Sequence, residues 1–149
     1  MLTARDIMTR EVITITDDST VKELARLLAV HQISGVPVID DTGKLVGVVT
    51  ESDLIFQTKK VHIPTVITIL DSVFYLENPD KMGEEMKKMA GIKVKDILTG
   101  SPLTVNEDTP LDEIATIMAE KNVHTLPVVN KETLVGVIGK KDIIRTLIG

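Results

Sequence analysis

The chain has 149 residues, with 17 Lys and Arg against 22 Asp and Glu and a net charge of −5, and that balance, with no basic stripe along it, argues against nucleic acid as a main partner. There is no cysteine, which removes disulfides, thiol catalysis and Cys-ligated metals together. Hydrophobic residues make up 43% of the sequence, but with no Trp, one Tyr and two Phe the core has to be built from Val, Ile, Leu and Met.

The opening stretch MLTARDIMTREV has no apolar core of the kind that directs secretion, and no segment reaches the roughly 20 apolar residues of a membrane span. The expectation is a cytoplasmic protein with no membrane span.

In chain order, Val12-Ile13-Thr14-Ile15 reads as a short strand. Ser19-Thr20 then opens a helix whose apolar positions Val21, Leu24, Leu27 and Leu28 follow helical spacing. Two β-rich runs, 35–39 and 45–49, are joined by the turn residues Asp40-Asp41-Thr42-Gly43, and a second helix begins near Thr50. Residues 56–93 carry an apolar run, Val66, Ile67, Ile69, Leu70, Val73, Phe74 and Leu76, followed by a charged segment with Met82, Met86 and Met89 at helical spacing. Such a run fits a buried or interface helix.

After residue 93 the chain repeats itself. Asp6-Ile7-Met8-Thr9 falls on Asp96-Ile97-Leu98-Thr99, Val36-Pro37-Val38 on Leu126-Pro127-Val128, Gly47 on Gly136 and Asp53 on Asp142. One residue is lost where Asp40-Asp41-Thr42-Gly43 meets Asn130-Lys131-Glu132, in a turn, where a length change is tolerated. The second copy places Thr109 as an N-cap, Pro110 at the first helical position and Asp112 in a capping box. Each copy is β-α-β-β-α in about 50 residues, a size at which a lone core is marginal. The expected fold is therefore α/β of the α+β kind: two repeats packed about a pseudo-twofold axis, with motif one at 1–55, a helical insert at 56–93 and motif two at 94–149.

Thr50 and Asp53 stand where a strand gives way to a helix. Thr-x-x-Asp is a capping pattern. It also aims backbone N–H groups, a hydroxyl and a carboxylate at one rim, chemistry suited to a phosphate and to paired hydroxyls. In the second copy Gly139 replaces the threonine, and Lys140-Lys141 replace Glu51-Ser52. Those lysines read either as a solvated helix start or as partners for an anion. The three histidines are scattered without metal-ligand spacing, and no nucleophile elbow, P-loop or dinucleotide fingerprint is present; no metal, required cofactor or enzymatic activity is expected.

The segments DIMTREVITI, GVPVID and LVGVVTESDLI, with DILTGSPLTV, TLPVVN and LVGVIGKKDII, resemble the two tandem cystathionine-β-synthase (CBS) motifs of a Bateman module. The resemblance implies a regulatory module for an adenosine ligand, AMP, ADP, ATP or S-adenosylmethionine. It implies that Thr50, Ser52 and Asp53 in one copy, and Lys140 and Asp142 in the other, anchor ribose and phosphate. It further implies that Ile13, Thr14, Gly35, Val36 and Pro37, or Leu103, Thr104, His124, Thr125, Leu126 and Pro127, supply the slot for the base. Pro37 and Pro127 also read as edge-strand prolines, Val36 and Leu126 as core, and His124 as a packed residue. A homodimer, with the insert at or near its interface, and a regulated protein partner complete the expectation. The alternative is a ligand-free interaction scaffold acting through the apolar insert.

Overall fold

The computed structural model describes residues 1–61, 92–98 and 101–148. Most of the expected insert, with its apolar run and its methionines, lies outside the described residues.

The first half runs α1 (Ala4–Ile7), β1 (Ile15–Thr16), α2 (Val21–His31), β2 (Gly35–Ile39), β3 (Leu45–Thr50) and α3 (Glu51–Val61). The second repeats the order as α4 (Val94–Ile97), β4 (Val105–Asn106), α5 (Leu111–Glu120), β5 (Thr125–Asn130), β6 (Thr133–Gly139) and α6 (Lys140–Ile148). Each half holds one three-stranded sheet, β1-β2-β3 or β4-β5-β6. In both, the first pair is parallel across a helical crossover and the second is an antiparallel hairpin. Both hairpins slip register at the same place, between Val38 and Ile39 and between Val128 and Val129, so the repetition extends to backbone detail.

The hairpin turns account for the lost residue. In the first, Asp40 accepts the backbone N–H groups of Thr42 and Lys44, each at 2.9 Å, and Gly43 takes φ 87°. In the second, Asn130 pairs with Thr133, and the two residues between, Lys131 and Glu132, have φ 49° and 70°. Positive φ at both central residues is what a tight two-residue hairpin requires.

Three local expectations are corrected. The first strand is Ile15–Thr16, shorter than the run from Val12: β1 finds partners only in Val38 and Ile39, and the next residue back on β2 is Pro37, which has no N–H to extend the ladder. Thr109 does not cap α5. Its hydroxyl accepts from Asn106 N–H at 3.0 Å, its carbonyl accepts from Ala4, and Pro110 takes the N-cap position without a side-chain bond. Nor does Asp112 reach back to the helix entry; its carboxylate accepts the N–H of Glu113.

The short helices α1 and α4, absent from the expected unit, are exchanged between the halves. Ala4 and Arg5 donate backbone N–H groups to Thr109 and Glu107, while Val94 and Lys95 donate to Ser19 and Asp17. Arg5 pairs with Glu107 at 3.0 Å, and Lys93 with Asp18 at 2.8 Å. Ala4 and Met8 belong to the core around Val105, Ile114, Leu126 and Ile138; Val94 and Ile97 belong to the core around Leu24, Leu28, Val36 and Leu54. The glycine repeated in LVGVV and LVGVI is the landing place of this exchange. A Cβ on Gly47 would lie 2.7 Å from Leu98 Cδ2, and one on Gly136 would lie 2.5 Å from Met8 Sδ. Neither half completes its core without a segment of the other.

Candidate functional site

The two strand-to-helix junctions differ in what they leave open. At the first, Asp53 is half-buried, and its Oδ2 accepts both the Thr50 N–H at 2.8 Å and the Thr50 hydroxyl at 3.2 Å. The Asp53 N–H returns to the Thr50 hydroxyl at 3.3 Å, a closed capping box. At the second, Asp142 is buried, 6% exposed. Its Oδ2 accepts the Gly139 N–H at 2.7 Å, and its Oδ1 accepts the Thr9 hydroxyl at 3.2 Å and Arg145 Nη2 at 3.0 Å. A buried carboxylate needs such compensation. A carboxylate has about four lone-pair sites, so three donors leave Asp142 one acceptor position.

Asp142 borders a cavity of about 330 Å³ between the halves, within the range of small-molecule sites, about 300 to 1,000 Å³. The first half contributes Thr9, Glu11 and Ile13 from the segment between α1 and β1, Gln32, Ile33 and Ser34 from the link between α2 and β2, Gly35 and Pro37 from β2, and Glu51 from α3. The second contributes His124, Thr125, Val137, Gly139, Lys140, Lys141 and Asp142. The elements explain the convergence. Gly35 pairs with Thr50 and Thr125 pairs with Gly139 at the ends of the two hairpins, and a Cβ on Gly35 would come within 2.8 Å of Thr125 Oγ1. Thr9 is carried there by a two-bond bridge to Val137, at 2.9 and 3.0 Å.

The lining is apolar at Ile13, Ile33, Pro37 and Val137 and charged at Glu11, Glu51, Lys140 and Lys141. Glu11, Glu51 and both lysines are exposed, and no ion pair joins any of them to another described residue. A flat apolar group with a polar, hydroxyl-bearing tail suits this arrangement: the aliphatic walls take the first, and Asp142 and the rim take the second.

Of the residues singled out from the sequence, Ile13, Gly35, Pro37, His124, Thr125, Lys140 and Asp142 line this cavity, whereas Thr14, Val36, Thr50, Ser52, Asp53, Leu103, Thr104, Leu126 and Pro127 do not. Val36 and Leu126 are fully buried in the two cores. Pro37 lies on the middle strand of its sheet, not an edge strand, but one residue short of where β1 joins. The side of Pro37 away from β3 therefore faces the cavity and not a ladder. Thr9, Glu11, Gln32, Ile33, Ser34, Glu51, Val137 and Gly139 were not among the site residues expected, and Lys141 was read only as an anion partner beside Lys140. Thr9 and Glu11 reach the crevice through the exchange of α1, which brings the segment before β1 of one half to the last helix of the other, whereas the rest flank expected positions at the ends of the hairpins.

These features define a class: a protein of two exchanged β-α-β-β-α halves with a ligand-sized crevice at their junction. The chain belongs to the CBS domain family, whose model matches residues 4–59 and 94–149. It is similar, at 32% identity over 97% of this chain and 90% of the relative, to an uncharacterized protein of Methanocaldococcus jannaschii. Among solved structures it is similar to CBSX2 of Arabidopsis thaliana in complex with AMP, with TM-score 0.73 and 26% identity over 99% of this chain and 97% of that one. It is likewise similar to the CBS domain pair of protein MJ0100 in complex with 5-methylthioadenosine and S-adenosylmethionine, with TM-score 0.71 and 25% identity over 99% and 96% of the two chains.

Proposed function

We propose that this chain is a regulatory module that binds an adenosine ligand, AMP, ADP, ATP or S-adenosylmethionine, in the crevice between its halves and passes the signal to a protein partner by a change in packing. The observation that carries this reading is the buried Asp142 carboxylate at the edge of an apolar crevice. The base lies among Ile13, Ile33 and Pro37, the ribose hydroxyls meet Asp142, and Lys140 and Lys141 stand at the mouth. The solved CBS pairs with AMP and with S-adenosylmethionine support the ligand class.

Binding, not turnover, is the output. A ligand shifts a conformational equilibrium only by its difference in affinity for the two states, and about 1 to 3 kcal/mol is enough to regulate a partner. The crevice is suited to this because its walls come from both halves and Asp142 already holds Thr9, a residue of the exchanged segment. The module acts in the cytoplasm as a homodimer. The apolar residues Ile55, Phe56, Ile144, Leu147 and Ile148, all at least 50% exposed on α3 and α6, favour association through these helices. Among the described residues no helix is long and apolar enough to cross a membrane.

The test is a thermal-melt panel with AMP, ADP, ATP, S-adenosylmethionine and GTP. A ligand at about 100 times its dissociation constant adds about 2.7 kcal/mol. One or more adenosine compounds should raise the melting temperature of the wild type and leave Asp142→Ala unmoved; a panel with no shift would instead favour the ligand-free scaffold.

A further inference from the structure

Helix α6 carries three cations, Lys140, Lys141 and Arg145. The two lysines line the crevice and form no ion pair with another described residue. Arg145 is the reverse case: it is not part of the lining, and its Nη2 donates to Asp142 Oδ1 at 3.0 Å. An ion pair three residues apart on an exposed helix surface contributes little. This pair differs because the arginine side chain is 69% exposed and the carboxylate only 6%, so the guanidinium reaches from solvent to a buried anion at the edge of the crevice. The equivalent position of the first copy, three residues after Asp53, is Phe56, whose side chain has no donor.

The bonds show what Arg145 does to the carboxylate. The terminal torsion of an aspartate is broad, so the group presents a fixed edge only if both oxygens are held. The Gly139 N–H holds Oδ2 at 2.7 Å. On Oδ1 the Thr9 hydroxyl lies at 3.2 Å, long for a bond between two oxygens, and Arg145 supplies the shorter, charge-assisted bond. With two donors on Oδ1 and one on Oδ2, the remaining acceptor site belongs to Oδ2, the oxygen beside Gly139, which lines the crevice.

We propose that Arg145 is a positioning residue of the crevice: from outside the lining it fixes the Asp142 carboxylate so that the remaining acceptor of Oδ2 meets a hydroxyl of the ligand's sugar. This rests on the adenosine-ligand reading of the same crevice and adds the residue that orients its aspartate. An acceptor already oriented loses less freedom when the ligand arrives. The effect of Arg145 therefore falls on affinity and is common to every ligand that carries the sugar, whatever its tail.

The experiment is a calorimetric titration of wild type, Arg145→Met and Arg145→Lys with AMP and with S-adenosylmethionine, at about 0.05 M and about 0.5 M salt. The melting temperature of each ligand-free protein is measured alongside, and the titrations are run well below it, so that a change in stability alone leaves affinity untouched. Methionine keeps an unbranched chain without a donor, and lysine restores a charged donor. Arg145→Met is expected to bind about tenfold more weakly, by the same factor at both salt concentrations and for each compound the wild type binds, and Arg145→Lys to stay within about threefold of wild type. Arg145→Met as tight as wild type, or Arg145→Lys as weak as Arg145→Met, overturns the proposal while leaving the ligand reading intact. So does a loss that fades at high salt or differs between two compounds that both bind, since that marks direct attraction between the arginine and the ligand's tail. No binding of either compound by the wild type overturns both.

Discussion

Asp53 and Asp142 occupy equivalent positions in the repeat and have different surroundings. Asp53 is engaged by its own cap residue; Asp142 is buried beneath a threonine from the other half and an arginine one turn along its own helix. Replacing Thr50 with Ala should therefore act on stability alone, costing about 0.5 to 2 kcal/mol as N-cap losses do, with ligand affinity unchanged by calorimetry. A large loss of affinity would place ligand chemistry at Asp53 after all. The sequence made both aspartates visible because Thr-x-x-Asp and Gly-x-x-Asp are local patterns. It did not distinguish them, because the difference depends on Thr9, which lies far from Asp142 in the chain and is brought to it by the exchange.

At the scale of elements, the strands, the long helices and the first hairpin turn were legible, since alternation, helical spacing and Asp-Asp-Thr-Gly are short-range signals. The strand before the first helix was legible, but as Val12–Ile15 where the structure has Ile15–Thr16, and the one-turn helices α1 and α4 were not legible. Four residues of helix carry no periodicity, and their place is set by contacts with the opposite half. The second hairpin allows a direct check. Lys131 and Glu132 hold positive φ without the glycine or asparagine such turns prefer, and a left-handed residue with a Cβ costs about 1 to 2 kcal/mol. Lys131→Asn with Glu132→Gly should raise the melting temperature by several degrees, at about 2 to 4 °C per kcal/mol. A fall on thermal denaturation would show that the native side chains are stabilising the turn.

The whole molecule is held together by reciprocal exchange, so damage at the landing sites should be felt by both halves. A methyl group added at Gly136 meets Met8 Sδ, Cγ and Cβ within 3.1 Å, and overpacking of this kind costs about 1 to 3 kcal/mol. Gly136→Ala should lower the melting temperature in one cooperative transition. Two separated transitions would mean that the halves fold independently. The ionic contacts of the exchange make an acid-sensitive contribution. Lys93, by hydrogen bond and then by charge, with Lys95 adding its charge, holds the Asp18 carboxyl below its usual range. A group whose pKa is lowered by folding adds stability above its unfolded value, about 3.9, and loses it as pH falls through the folded value. The melting temperature of Asp18→Asn should lie below that of wild type at pH 7 and converge with it below about pH 4; a gap that persists in acid would exclude this ion pair as its cause. The duplication and pseudo-symmetric pairing were legible because they recur along the chain. Which half supplies which wall of the crevice was not, because the exchange crosses the repeat boundary.

The central claim is that an adenosine ligand sits in the crevice at Asp142. The most direct measurement is calorimetric titration of wild type, Asp53→Ala and Asp142→Ala with AMP, ADP, ATP, S-adenosylmethionine and GTP. Saturable binding of an adenosine compound by wild type and by Asp53→Ala, lost in Asp142→Ala and absent with GTP, is the predicted result. Binding that survives in Asp142→Ala, or none in the wild type, would contradict it.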